Sequence, residues 1–156
     1  MKSIDLEKIK EKEVFLVKKN QDFTLSPNYL ENTTLKKEIV FEFDSKNTTS
    51  KIIYYCVVNK KVNMDLKIIL TSKKTNIENV KAYLEVHILN LSEDNYFSIE
   101  PILEIPQQNI VFEHKVTIGA PNKDWIKYLR SRGIPHNEAR GLIAKGFLTG
   151  HAMHLQ

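Results

Sequence analysis

Cysteine is almost absent from this 156-residue sequence, where Cys56 stands alone. No internal disulfide can form, which agrees with a reducing, cytoplasmic setting. Long apolar runs are missing too: no stretch approaches the ~18–20 residues that a membrane span requires. The opening residues, Met1-Lys2-Ser3-Ile4-Asp5-Leu6-Glu7, hold no apolar signal-peptide centre, so the glycosylation-type triplets at Asn32, Asn47 and Asn90 are chance matches. Glycine never gathers into a phosphate-cradling loop, and with Gly119 and Gly133 isolated this chain is not expected to hydrolyse nucleotide. No Ser/His/Asp set is legible at a recognisable spacing. Charge of one sign is scarce, since 23 basic and 19 acidic residues leave +4. The lysines fall in scattered pairs (Lys18-Lys19, Lys36-Lys37, Lys60-Lys61, Lys73-Lys74), not in a basic run, which argues against a nucleic-acid partner. At strand ends such pairs keep exposed edges soluble. What is left is a soluble intracellular domain.

What is present is ordinary in amount and β-like in order. Hydrophobic residues make up 42% and charged residues 27%, and the length suits one domain with a real core. Ser3–Lys12, with Ile4, Leu6 and Ile9, is compatible with a short capped helix. Val14–Val17 reads as a strand, Phe23–Leu25 as another, and Ser26-Pro27-Asn28 as a turn. From Lys36 the pattern is persistently β. Ile52 through Val58 is β-branched and aromatic throughout, as in a strand buried on both faces. Val62, Met64, Leu66, Ile68 and Leu70 alternate with polar residues, and Val80, Ala82, Leu84, Val86 and Ile88 repeat that period of two. No helix-length segment interrupts residues 36–118. Periodicity permits an antiparallel sandwich or a solenoid of stacked turns, and no strict repeat is visible to decide between them.

The stretch from Glu113 to Phe147 has a different grammar. A short strand, Ile110–Phe112, is expected to end at Glu113-His114-Lys115, and Gly119-Ala120-Pro121-Asn122 to break it. A helix follows, capped by Asn122 or Asp124, with Trp125, Ile126, Tyr128 and Leu129 on its apolar side and Arg130 and Arg132 near its C-terminus. Gly133 sits where a left-handed residue ends a helix. Pro135 opens a second helix carrying Ala139, Leu142 and Ile143, which Gly146 is expected to weaken. His151 and His154 have a spacing that suits a metal on a helix, but beside Gly150 and the chain end a frayed tail is expected.

Tyr128-Leu129-Arg130-Ser131-Arg132-Gly133-Ile134, then Glu138-Ala139-Arg140, Leu142-Ile143 and Gly146-Phe147, resemble the C-terminal signature of the SufB/SufD family, the scaffold proteins of SUF iron–sulfur cluster assembly. Leu89 through Ser92, Pro101, Leu103-Glu104-Ile105, His114 and Gly119 resemble its last β-helical turns, so the resemblance covers roughly residues 83–149. It implies a mainly β fold: a short right-handed parallel β-helix over 36–118, a cap over 1–35 that could include the short helix, and a helix pair over 122–149, in one domain.

The same resemblance implies the function. The chain would be a non-catalytic scaffold or adaptor that docks a SufC-like ABC ATPase through Trp125, Tyr128, Leu129, Arg130, Arg132, Gly133, Ile134, Glu138 and Arg140. It would pair with itself or with another SufB/SufD-like subunit. Glu113 and His114 are the candidate iron or cluster ligands, since carboxylate and imidazole both bind iron. No cofactor is expected to be firmly bound, beyond a transient iron–sulfur cluster or iron. With no cysteine in the region Tyr83–Ile99, and Cys56 placed in an apolar run as a small hydrophobe, the chain resembles the SufD type. Members of that family run on past the equivalent of Phe147, so only part of their docking surface is expected here. A stand-alone β-rich module binding a metal or small molecule is the competing reading.

Overall fold

The computed structural model describes residues 1–74, 76–105 and 109–152. They form ten strands and two helices: β1 (Lys2–Asp5), β2 (Lys12–Val17), β3 (Phe23–Ser26), β4 (Tyr29–Leu30), β5 (Thr33–Phe43), β6 (Thr48–Val58), β7 (Val62–Thr71), β8 (Val80–Asn90), β9 (Tyr96–Glu104), β10 (Ile110–Gly119), α1 (Lys123–Ser131) and α2 (His136–Ala152). The chain alternates between two sheets. One has the order β1-β3-β6-β8-β10, with β4 also beside β6, and the other has the order β2-β5-β7-β9. Every pairing is parallel. Each residue therefore lies beside the one a full turn later: Thr33 beside Val62, Thr48 beside Val80, Val80 beside Ile110. The result is a parallel β-solenoid of about three turns followed by two helices, which excludes the antiparallel sandwich.

Period-two alternation aims one side chain in two between the sheets. Ile39, Phe41, Ile52, Tyr54, Met64, Leu66, Ile68, Leu84 and Val86 fill that space and are buried. Phe23 meets Phe41 edge-on at a centroid distance of 5.0 Å. On the outer face of the second sheet the register lines up Lys12, Glu38, Lys67 and Glu100, so that charges of opposite sign are neighbours on successive strands. Lys12 and Glu38 form an ion pair, and the hydrogen bond from Lys12 holds the Glu38 carboxyl below its usual range.

Corners are made by asparagine. Asn47, Asn79 and Asn109 have φ of 51°, 55° and 63° and stand immediately before β6, β8 and β10; Asn32 and Lys61 do the same before β5 and β7. Asparagine tolerates this left-handed region because its short amide bonds locally. The amide of Asn79 donates to Asn47 Oδ1 at 2.9 Å, which ties one turn to the next.

Four expectations change. Ser3–Lys12 does not form a helix: Ile4 and Leu6 enter the core through β1 and the turn after it, and β2 begins at Lys12. The ladders run through β1–β4, so the coil also takes in the segment expected to cap it. The strand expected to end at Phe112 continues to Gly119, because each residue of β10 finds a partner on β8. The second helix runs on through Gly146 to Ala152. His154 lies outside the described residues, as does the side chain of His151.

Candidate functional site

The two predicted site regions occupy neighbouring parts of the last turn. β10 pairs with β8 on one side and, among the described residues, with nothing on the other. Glu113 and His114 are therefore mid-strand residues on a sheet edge, and both are exposed. Their directions differ. His114 continues the inward column Ile52–Leu84, and Glu113 continues the outward column Lys51–Tyr83. Adjacent residues of a strand point to opposite faces, so this pair does not converge on one ion. The His114 ring stacks on Phe112, its same-face neighbour, at 5.6 Å. Lys115 shares the outward face with Glu113 and lies beside Glu85, away from the His114 side.

Among the described residues no three His, Cys, Asp or Glu side chains are grouped as a metal site. The donor set of a single chain does not fit a held iron ion: it offers one imidazole on one face and one carboxylate on the other. Cys56 adds nothing to it. Its side chain is buried, and burial pushes the thiol up to about 12 against a smaller opposing pull from the Tyr54 hydroxyl.

His114 is not the only inward residue of β10 left uncovered. Val116 and Ile118 lie beside the buried Val86 and Ile88, yet they are 36% and 43% exposed. With Val111 at 41% and Leu103 at 41%, they make the last turn an apolar open end. The first turn differs in its inward face. It too exposes apolar side chains, Val14 and Leu16 on the outward face of β2, but its inward Ile4, Leu6 and Val17 are buried, and Lys2 lies over the Phe15 ring at 5.6 Å.

The helix pair rests on the outer face of the first sheet. Asn122 caps α1, its Oδ1 accepting from Asp124 N at 2.8 Å and Trp125 N at 3.4 Å. The helix ends in a Schellman motif: Gly133 takes φ of 85°, Gly133 N donates to Arg130 O at 3.0 Å, and Ile134 N to Leu129 O at 3.2 Å. That corner turns the chain into α2, whose Ala144 is buried with Val57 and Leu89 while Ile143, Phe147 and Leu148 pack alongside. Phe147 meets the Tyr55 ring edge-on at 6.2 Å. Arg140, expected on the docking rim, instead reaches back to the Leu91 carbonyl and fastens α2 to the solenoid.

α1 buries none of its residues. Trp125 is 67% and Tyr128 57% exposed, and the Arg132 guanidinium lies 5.2 Å from the Tyr128 ring centroid. Between the helices runs a groove of about 630 Å³ lined by Asn122, Trp125, Leu129, Leu142, Ile143, Gly146 and Phe147. Of the predicted docking residues, Trp125 and Leu129 line it, while Tyr128, Arg130, Arg132 and Glu138 are exposed outside that lining. Gly133 and Ile134 form the corner.

A second cluster was not foreseen. On the face that α2 covers, Tyr55 stacks on His87 at 4.7 Å, and Glu85 Oε2 lies 3.4 Å from His87 Nε2 and 3.5 Å from the Tyr55 hydroxyl. Partial burial, then the Glu85 charge, raises the Tyr55 phenol above its ordinary value. Only the 32-residue offset between β6 and β8 brings Tyr55 beside His87, and a periodicity search within single strands does not see that offset.

The family model of the SUF system FeS cluster assembly SufBD core domain matches residues 9–147. This chain belongs to the SufBD family. Curated relatives agree over shorter stretches. The chain is 34% identical over 73 residues to the iron–sulfur cluster assembly SufBD family protein MTH1150 homolog of Methanothermobacter thermautotrophicus, covering 47% of this chain and 18% of that protein. It is 38% identical over 69 residues to a SufBD family protein of Archaeoglobus fulgidus, covering 44% and 19%. It is also 38% identical over 64 residues to the iron–sulfur cluster assembly protein SufD of Bacillus subtilis, covering 41% and 15%. The matched part of this SufBD chain thus spans under a fifth of each of those relatives. Among the described residues, no helix is long and apolar enough to cross a membrane.

Proposed function

We propose that this SufBD chain is a non-catalytic scaffold subunit of cytoplasmic iron–sulfur cluster assembly. It docks a SufC-like ABC ATPase through α1 and α2 and joins a second SufB/SufD-like subunit, its own copy or another, at the open last turn. The observation that carries this reading is α1 itself. A nine-residue helix with Trp125, Tyr128 and Leu129 on it, none of them buried, gains little from its own chain and is suited to gaining from a partner. Iron or a nascent cluster would be cargo at the joint. There a lone His114 imidazole is one donor, and a partner must supply the rest. Substitution of both Tyr128 and Arg132 by alanine should abolish co-purification with the SufC-like ATPase encoded in the same genome. Pull-down equal to wild type would defeat the docking reading.

A further inference from the structure

The helix pair holds an excess of charge that the rest of the chain does not share. Residues 123–147 contain six Lys or Arg and two acids, Asp124 and Glu138, a net of +4. The whole chain is also +4, so the remaining residues balance at 17 basic and 17 acidic. Arginine is more selective still. All three arginines of the sequence lie here, against 20 lysines overall. Arg140 is used internally, but Arg130 and Arg132 are exposed in the last turn of α1 and at its C-cap. Arg132 is already laid against Tyr128, which lowers the entropy lost when its planar fork meets a carboxylate.

Gly146 is the one of the three glycines in α2, with Gly141 and Gly150, that lines the groove between the helices. A glycine inside a helix costs stability relative to alanine, and here nothing in the chain demands one. A Cβ built on Gly146 meets no atom within 4 Å, and its φ is not in the left-handed region. It opens onto the groove between Trp125, Leu129, Leu142 and Phe147.

Resting on the docking reading above, we infer that the groove receives a protein ridge that is apolar at its crest and flanked by carboxylates. Arg130 and Arg132 pair with the carboxylates, and the absent side chain at Gly146 leaves room for the crest. An anionic membrane would satisfy the same cations. A concave groove with a glycine in its lining, however, fits an inserted ridge better than a flat headgroup layer, which takes a convex apolar face.

The test measures the affinity of the full chain for its ATPase partner between about 50 and about 500 mM NaCl, where screening of rim charges changes most. The wild-type complex should weaken about tenfold or more across that range. Arg130→Gln with Arg132→Gln should weaken it about tenfold at low salt and flatten the salt dependence. Gly146→Ala should leave the melting temperature unchanged or higher, yet weaken binding at least about tenfold. A complex that forms but ignores salt, both arginines and Gly146 would overturn this inference and leave docking intact. No complex at low salt would overturn docking itself. Co-sedimentation with vesicles containing anionic phospholipid, lost in the arginine variant while ATPase affinity stays unchanged, would assign the cations to a membrane and refute the inference.

Discussion

Cys56 and Tyr54 point inward from β6 into the same part of the core, and burial acts on both in the same direction. The phenol is pushed well above its usual value, with burial the main cause, and its hydroxyl has no well-placed hydrogen-bond partner among the described residues. The thiol, raised to about 12, stays protonated throughout the neutral range. A folded-state pKa above the unfolded one means that any stability this neutral thiol contributes is present below about pH 8.5 and is lost only as pH rises toward 12. Thiolate is the nucleophile and the metal ligand, so this residue is unsuited to carrying sulfur or holding a cluster. Native protein should react with iodoacetamide at pH 8 roughly a thousandfold more slowly than protein unfolded in guanidinium, followed as mass gain over time. Rapid labelling of the folded chain would show that the core opens at Cys56 and would reopen it as a cluster ligand.

At the scale of elements, strands were legible and their partners were not. The alternation from Val62 to Leu70 and from Val80 to Ile88 is a local signal, because burial of one face imposes it residue by residue. The stacking of turns leaves almost no local trace. Turn lengths differ (29 residues between β5 and β7, 32 between β6 and β8), so no fixed repeat emerges. What recurs is one left-handed residue before a strand, asparagine in each case but Lys61 before β7, and Asn47, Asn79 and Asn109 are 32 and 30 residues apart. The helix corner was readable at Gly133 because a Schellman motif is written in consecutive residues. The candidate ligands were expected at a strand end, and their mid-strand place and opposite directions follow from the continuation of β10, which the polar run Glu113-His114-Lys115 conceals. The asparagine corners can be tested directly. Asn79→Ala places a Cβ-bearing residue without a local amide in the left-handed region and removes the bond to Asn47, so it should cost about 1–2 kcal/mol. Asn79→Gly keeps the backbone freedom and should cost less. Denaturant titration of the three proteins measures both, and a reversed order of stability would show that the corners do not depend on conformational tolerance.

The whole molecule is polar in the sense that its two ends differ. A solenoid must end twice, and each end leaves unpaired backbone and an uncovered section of core. Among the described residues, the first turn exposes Val14 and Leu16 only on its outward face and keeps its inward Ile4, Leu6 and Val17 buried, whereas the last turn leaves its inward Val116 and Ile118 uncovered. Because Val116 and Ile118 lie on the inward face, covering them requires a surface that continues the coil's interior, and a second SufB/SufD-like end offers one. Association should therefore occur through the β10 end alone. Val116→Glu with Ile118→Glu should abolish pairing, whether with a second copy or with a co-expressed larger SufB/SufD-like subunit. The fold should persist, since neither side chain is buried and β10 keeps its ladder with β8. Native mass measurement distinguishes the cases: wild type in a complex and the double variant at 18.1 kDa. An 18.1 kDa species for wild type in both settings would mean that the open end is tolerated, not filled, and that no joint exists at which His114 could share cargo.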